Sequence, residues 1–218
     1  MKSRVNFMNE LQDLRYSMAD MGMEIEEILD NTLEVLINNN TSLVEKVVEG
    51  EKKVDDLELE IQRKCVLLIT KEQPIAKDLR LIMSVIKIIT DMERISDQCQ
   101  DICSYYLKIK DAPYTEKDAF KRHTNKMMQS VSDMLSRTLE ASKQKDIDTL
   151  REVCEYDDTI DDKFTQIWKE LIEYMQENTN FISVGPQYIM IIKYLERIAD
   201  HITNISEWMI YNLTGEYI

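Results

Sequence analysis

The sequence predicts an all-α protein made of two tandem, pseudo-symmetric antiparallel three-helix bundles, with six helices in total. Apolar residues recur at spacings of three and four along almost the whole chain, which is the period of an amphipathic helix. Among 218 residues only 4 are glycine and 3 are proline, so the turn chemistry that sheets and long loops require is scarce. Patterns in the first half reappear in the second half, which indicates an internal duplication.

The helices are predicted in the order of the chain at residues 5–38, 41–71, 76–108, 116–144, 147–178 and 186–212. The breaks between them coincide with capping or helix-stopping residues: Thr41 or Ser42 as an N-cap, Pro74, Pro113 with a capping Thr115, and Gly185 with Pro186. Connections this short require neighbouring helices to run antiparallel.

The duplication is visible in two alignments. Within residues 43–61, residues 44–58 align with residues 150–164 at an offset of 106, which pairs Asp55 with Asp161. Residues 92–102 align with residues 195–205 at an offset of 103, so that Glu-Arg-Ile and the aspartate after it coincide. Each copy is predicted to be a unit of about 105 residues, large enough to bury its own core. The predicted domains are residues 1–111 and 112–218.

The charge balance disfavours several classes of function. Lys and Arg total 27 against 41 Asp and Glu, a formal net charge of −14. Such a surface repels phosphate backbones and lacks the basic patches that hold proteins on anionic membranes, so no nucleic-acid partner and no direct membrane contact are expected. The N-terminus has no apolar signal-peptide core, and the most apolar stretch, residues 79–89, is too short to span a bilayer. We expect a soluble, cytoplasmic protein.

The four cysteines, Cys65, Cys99, Cys103 and Cys154, all lie within helical patterns. Cys99 and Cys103 are one turn apart, so they are either soft metal ligands or buried thiols. They project on the apolar side of their helix and no histidine lies near them in sequence, which favours buried thiols. Reduced cysteines fit the cytoplasm.

Pairs of carboxylates four residues apart recur on equivalent helices of both copies. They are Glu51, Asp55, Glu93 and Asp97 in the first copy, and Asp157, Asp161, Glu196 and Asp200 in the second. Residues four apart share a helix face, so two adjacent helices can bring four carboxylates together. Like charges this close raise one another's pKa, and a cation removes that penalty. Carboxylate oxygens suit hard ions such as magnesium, manganese, calcium or ferric iron.

The alternative is an ordinary solvated surface, because acidic residues are common on the outer faces of helices in an acidic protein. Arg94 and Arg197 are also placed to neutralise their neighbours. The repetition of the spacing in both copies supports a metal site, but the residues alone leave both interpretations open. His201 falls between the apolar and acidic faces and has Gln98 as its counterpart, so we expect it to be a hydrogen-bonding residue rather than a ligand.

Residues 196–206, ERIADHITNIS, resemble the Glu-Arg-Ile-Gly-Asp-His-x-x-Asn-Ile motif of PhoU proteins, the regulators associated with the bacterial phosphate-specific transporter. Residues 73–80, QPIAKDLR, are similar to the segment that opens helix three in the first repeat of that family. Met21-Gly22 and residues 54–58, VDDLE, match the family as well. In the first copy, Gln98 and Asp101 stand where the motif has histidine and asparagine.

The resemblance implies two pseudo-symmetric three-helix bundles in which the eight acidic residues above bind iron, zinc, manganese or magnesium. It also implies negative regulation of phosphate uptake and of phosphate-starvation signalling. PhoU proteins act as adaptors between the transporter's ATPase subunit and the sensor histidine kinase, so any membrane attachment is expected to be peripheral, through these partners. A homodimer is left open.

Two other functions compete with this one. Ferritin-like dimetal enzymes place Glu-x-x-His motifs inward, and neither histidine here follows a glutamate at that spacing. No nucleophile–base pair stands out either, so we expect no enzymatic activity. The second alternative is a metal-free scaffold or phosphate-handling protein of the same fold with other partners, in which the carboxylates are only solvated surface.

Overall fold

The computed structural model describes residues 2–111 and 118–217. Six α-helices follow one another: α1 Lys2–Asn38, α2 Val44–Glu72, α3 Ala76–Ile109, α4 Asp118–Gln144, α5 Ile147–Glu177 and α6 Gly185–Thr214. Short 3-10 segments, Thr41–Leu43 and Thr179–Ser183, precede α2 and α6. These two described ranges contain no strand, and the predicted all-α class is confirmed.

The helix ends follow the predicted breaks with one exception. The prediction of Thr41 or Ser42 as the N-cap of the second helix is wrong, because both residues lie in a 3-10 turn and Leu43 precedes α2. The hydroxyl of Ser42 instead donates to Asn40 Oδ1 at 2.7 Å. By contrast, α5 has a side-chain cap, since Asp146 Oδ1 accepts from the backbone N–H of Thr149 at 3.1 Å.

Two predictions for the centre of the chain lie outside the described residues. Pro113 and the capping Thr115 fall within residues 112–117, and the predicted domain boundary between residues 111 and 112 lies at the edge of that stretch. Both stay predictions.

The helices pack as two groups of three that share a long contact. α1, α2 and α3 pack against one another, as do α4, α5 and α6, and the groups meet along α3 and α6 and along α1 and α4. α3 and α6 run antiparallel, because Arg80 packs over Tyr211 whereas Tyr105, further along α3, stacks near Tyr194. The buried apolar residues form one continuous core across both groups.

The duplication is preserved in matching side-chain contacts. Thr32 and Thr138, 106 residues apart, are both buried, and each donates to the carbonyl one turn earlier, at 2.8 and 2.9 Å. Thr32 then contacts Cys103 Sγ at 4.0 Å, and Thr138 contacts Ser206 Oγ at 3.1 Å. Cys103 and Ser206 are 103 residues apart, so both alignment offsets survive as structural equivalences.

The cysteines are free thiols, with Cys65, Cys99 and Cys103 buried and Cys154 half-buried. Burial raises the pKa of Cys65 to about 12 and that of Cys103 to about 11. Cys99 and Cys103 are therefore buried thiols, as predicted. Among the described helices, none is long and apolar enough to cross a membrane.

Candidate metal centres

The helix pairs α2–α3 and α5–α6 position the eight predicted acidic residues. On α2 the buried positions recur every seven residues, at Val47, Val54 and Ile61, which leaves the acidic side beside them. That side faces α3, because Glu51 accepts from Gln100 Nε2 at 2.9 Å. The acidic side chains therefore line the seam between two antiparallel helices, at the edge of the core.

In the first copy the carboxylates of Glu51, Asp55 and Asp97 each offer an oxygen within 4.8 Å of the others, and all three residues are half-buried. Arg94 lies beside them, with Nη1 3.2 Å from Asp97 Oδ2 and Nε 3.3 Å from Glu93 Oε2. Asp55 Oδ1 is buried and has no hydrogen-bond partner in residues 2–111 or 118–217. The first cluster thus contains several carboxylates, the positively charged side chain of Arg94 and one carboxylate oxygen without a hydrogen-bond partner.

The charges of the first cluster are not balanced by its surroundings. Burial and the neighbouring Asp97 raise the pKa of Glu93 to about 7, against the opposing effect of Arg94. Burial also raises the pKa of Asp97, with Asp55 adding to the rise, and burial and Asp55 raise the pKa of Glu51. For Glu93 and Asp97, Arg94 therefore does not offset the effect of burial and of the neighbouring acids on the pKa.

In the second copy the three carboxylates within 4.8 Å of one another are those of Asp161, Glu196 and Asp200. Asp157 adjoins them: burial, with Asp200 and Asp161, raises the pKa of its carboxyl to about 6. Asp157 Oδ1 is also buried, and the hydroxyl of Thr203 beside this carboxyl opposes the rise in its pKa by hydrogen bonding. Burial and neighbouring acids raise the pKa of Glu196 and Asp200 as well.

The donor set fits a hard cation. Both clusters offer only carboxylate oxygens, which magnesium, manganese and ferric iron prefer, whereas zinc in proteins more often takes nitrogen or sulfur ligands. The first cluster also contains a buried carboxylate oxygen without a protein donor, Asp55 Oδ1. Asp157 Oδ1, beside the second cluster, is buried as well, with the Thr203 hydroxyl near it. Buried polar atoms are normally satisfied, and a cation bound at these seams would satisfy both oxygens.

All eight predicted residues lie on the two seams, but their carboxylate oxygens are not all equally close to one another. Six of them form the two groups whose oxygens lie close enough together for one ion, while Glu93 and Asp157 lie beside those groups. That any of the eight binds a metal stays a prediction.

Three residues of the first seam were missed by the sequence-based prediction. Glu58 and Asp101 contribute charge next to Glu93 and Asp97 and raise the pKa of these two carboxyls further. Both continue the spacing of three or four, from Asp55 and from Asp97, so a signal was present. The third residue, Gln100, donates to Glu51, and nothing in the sequence pattern indicated that this neutral side chain belongs to the seam.

His201 lies at the contact of α3 with α6, outside both clusters. Its Nδ1 is 2.8 Å from Asp91 Oδ1, and Asn204 Nδ2 donates to the same oxygen at 3.3 Å. His201 is therefore a hydrogen-bonding residue, as predicted, and its bond to Asp91 connects α6 to α3 in the other half of the molecule.

Known proteins with a similar sequence and fold cover nearly all of this chain. The family model of the PhoU domain matches residues 18–105 and 124–209. A phosphate-specific transport system accessory protein PhoU homolog from Clostridium acetobutylicum is 32% identical over 217 residues, covering 99% of this chain and 98% of that protein.

Two crystal structures are similar as well. PhoU from Pseudomonas aeruginosa superposes with a TM-score of 0.89 at 31% identity, covering 96% of this chain and 100% of that one. The phosphate transport system regulatory protein PhoU from Streptococcus pneumoniae gives a TM-score of 0.87 at 27% identity, covering 97% and 99%. With two domain matches and relatives alike from end to end, this chain belongs to the PhoU family.

Proposed function

We propose that this protein is a regulatory accessory protein of a phosphate-specific transport system. The names of its relatives support this role: the Clostridium acetobutylicum protein is a phosphate-specific transport system accessory protein, and the Streptococcus pneumoniae protein is a phosphate transport system regulatory protein. The likeness extends over almost the full length of each chain, so the role is proposed for the whole protein rather than for one of its halves.

The protein is further proposed to act as a metal-binding adaptor. The observation that carries this step is the pair of acidic clusters on corresponding seams of the two copies, together with the unsatisfied buried Oδ1 of Asp55 in the first. Glu51, Asp55 and Asp97 would hold the first cation, with Glu93 beside them. The second would be held by Asp161, Glu196 and Asp200, with Asp157 beside them. A cation held by a few protein carboxylates at a seam reached by solvent keeps coordination positions for a partner's carboxylate or for phosphate.

The proposed partners are the transporter's ATPase subunit and a sensor histidine kinase. In this role the protein lowers phosphate uptake and starvation signalling when phosphate is plentiful, by contacts rather than by catalysis. Its attachment to the membrane would then be through the transporter.

A metal-free scaffold remains the second candidate, and one observation favours it. Arg94 pairs with both Glu93 and Asp97, so the first cluster is partly neutralised by the protein itself. As far as the described residues show, Arg197 forms no equivalent ion pair in the second cluster. If only one cluster holds a cation, we expect it to be the second.

Metal analysis of freshly purified protein tests the binding step. Asp55→Asn with Asp97→Asn is expected to remove metal from the first cluster, and Asp161→Asn with Asp200→Asn from the second. The matched controls are Asp56→Asn and Asp162→Asn, exposed acids next to the ligands in sequence, which should keep the full metal content. Equal metal content in all of these variants would contradict the assignment.

Capture of the transporter's ATPase subunit from lysate, with and without chelator, tests the adaptor step. Capture that is lost on chelation and absent in the cluster variants would make the metal part of the interface. Capture that persists in the metal-free variants would support the scaffold. No capture in any condition would remove the ATPase as a partner.

A further inference from the structure

A cleft with basic walls opens at the end of the molecule away from the first acidic cluster. It measures about 890 Å³ and lies between α1, the start of α3, the turn between α4 and α5, and the last turn of α6. Three cations line it, Arg15, Lys77 and Lys145, against one acid, Asp78. Because Asp78 and Asp97 are 19 residues apart on α3, roughly 28 Å of helix separates the cleft from the first cluster.

The cations of the cleft are not matched with carboxylates. No ion pair among the described residues involves Arg15, Lys77 or Lys145, although the chain has 41 acidic and 27 basic residues. They come from three elements far apart in sequence, so the fold gathers them. Unpaired cations in one concave site create a positive potential that favours an anion.

A small inner chamber of about 50 Å³ adjoins the cleft and shares Arg15, Lys145 and Asn212 with it. Its wall also contains Ser84, which is fully buried and whose Oγ has no hydrogen-bond partner within the described chain. Hydroxyls inside helices usually donate to the carbonyl one turn earlier, as Thr32 does here. A buried hydroxyl without a partner is unfavourable, so Ser84 indicates a ligand in the chamber.

The first turn of α3 adds backbone donors. α3 begins at Ala76, and Ile75 before it provides no side-chain cap. Ala76, Lys77 and Asp78 all line the cleft. The N–H of Asp78 already donates to the carbonyl of Ile75 at 3.0 Å, so the contribution of this turn comes from the N–H groups before it and from the positive end of the helix dipole, which favour anions.

We propose that this cleft binds a small oxyanion of the phosphate class. Arg15 and Lys145 hold it at the entrance to the inner chamber, and the hydroxyl of Ser84 and the side chain of Asn212 hydrogen-bond to it from the chamber walls. The inner chamber admits only a few atoms, whereas the outer cleft has room for a larger molecule. The ligand is therefore either an inorganic oxyanion or the phosphoryl group of a larger phosphorylated compound. This site rests neither on the proposed accessory role nor on the acidic clusters.

A cavity of about 180 Å³ that corresponds to the inner chamber lies at the opposite end of the molecule, lined by residues of α1, α3, α4 and α6. Its Lys121 corresponds to Arg15 at the offset of 106, and its Ile191 corresponds to Ile88 at the offset of 103. The residue equivalent to Ser84 there is Gln187, which does not line the cavity. The buried free hydroxyl is thus particular to the first site, and Lys121 provides a matched control.

Calorimetric titration of the full chain with inorganic phosphate, after chelator treatment, tests the proposal. We expect saturable binding that weakens about tenfold or more in Arg15→Gln and in Lys145→Gln, because each removes a charged hydrogen-bond donor. Lys143→Gln, in the same turn but paired with Glu140 at 3.7 Å, and Lys121→Gln should bind phosphate as the unmodified protein does. Asp97→Asn with Asp200→Asn should also bind normally, which separates this site from the metal proposal.

Ser84→Ala gives a second readout that a purely structural serine would not give. It should weaken phosphate binding about threefold to tenfold while leaving the melting temperature of the anion-free protein unchanged or higher, because a buried unsatisfied hydroxyl is removed. Sulfate and AMP as further titrants identify the source: tighter binding of AMP indicates a phosphoryl group, and equal or weaker binding indicates an inorganic oxyanion. Absence of saturable binding of all three anions, or loss of binding in Lys121→Gln but not in Arg15→Gln, would overturn the proposal.

Discussion

Glu93 and Asp157 are carboxyls for which burial and neighbouring acids act together. Their pKa values lie at about 7 and about 6, above ordinary values of 4.5 and 3.8. The native state therefore binds these protons more tightly than the unfolded state. The contribution of these two groups to the free energy of unfolding of the metal-free protein therefore falls as the pH rises through about 4 to 7.

We expect the unfolding free energy of chelator-treated protein to be lower at about pH 7.5 than at about pH 5 by on the order of 2 kcal/mol, so the protein should melt at a lower temperature at about pH 7.5. Glu93→Gln should remove a large part of that dependence, since the amide does not titrate. Thermal melts by circular dichroism at the two pH values measure it. A metal-free protein that becomes more stable as the pH rises would contradict this account of the clusters.

Added metal should weaken this pH dependence, because protons and cations compete for the same carboxylates. We expect manganese or magnesium to raise the melting temperature more at about pH 7.5 than at about pH 5, so that the holo protein loses most of the pH dependence. Asp56→Asn, which leaves the cluster intact, should respond like the unmodified protein, whereas Asp55→Asn with Asp97→Asn should respond less. An equal response in the two would place the ion elsewhere.

The acidic residues were predictable where their spacing repeated, as for Asp55 with Asp161 and for Asp97 with Asp200. Their partial burial was not, since the raised pKa of Glu93 depends on how closely α2 packs against α3. The unpaired hydroxyl of Ser84 was equally hidden, because a serine on the buried side of a helix looks like ordinary core. Properties of a single residue that depend on its neighbours in space require the fold.

At the scale of elements, α3 and α6 form the contact on which the arrangement of both halves depends. Asp91 on α3 accepts hydrogen bonds from two α6 residues, His201 at 2.8 Å and Asn204 at 3.3 Å, in a half-buried position. These polar contacts lie near the middle of the contact between the two helices, and Tyr194 on α6 hydrogen-bonds to Asp101 further along α3.

Asp91→Ala should destabilise the protein by about 1–3 kcal/mol, because it leaves two side chains of α6 without their acceptor. A double-mutant cycle with His201→Ala in urea unfolding measures the coupling, which we expect to be about 1 kcal/mol. Additive effects would show that the hydrogen bond contributes nothing to the contact. Metal content should be unchanged in both variants, since neither residue belongs to a cluster.

Gly215 ends α6 with a φ of +87°, a conformation that favours glycine. A Cβ at this position would also collide with the guanidinium of Arg80 on α3. Gly215→Ala should lower the unfolding free energy by about 1–2 kcal/mol, while Glu216→Ala at the exposed next position should be nearly neutral. Urea unfolding compares the two, and an equal effect would show that the end of α6 does not depend on glycine.

The six helices could be predicted almost in full, because the breaks between them coincide with Pro74, Gly185 and polar turns. The error at Thr41 and Ser42 arose because capping residues also favour 3-10 turns, and only the backbone path distinguishes the two. The pairing of α3 with α6 was not predicted, since a duplicated sequence does not say which faces of its two copies meet.

At the scale of the whole molecule, the sequence predicted that each bundle buries its own core. The structure instead has a single apolar core that continues across both bundles. α3 and α6 are buried on the sides that face their own bundle and on the sides that face each other. Such an arrangement favours unfolding as one cooperative unit, although two independent domains would show the same helices and the same duplication.

Ile160→Ala distinguishes these possibilities. Ile160 is fully buried in α5, so its truncation should destabilise the second bundle by about 2–5 kcal/mol. If the molecule unfolds as one unit, hydrogen exchange of core amides in α2, in the other bundle, should speed up by the same free energy as exchange in α5. The control is Thr159→Ala, at the exposed position beside it. Faster exchange in α5 with unchanged exchange in α2 would show that the two copies unfold separately, and that a cation bound to one cluster stabilises only its own half.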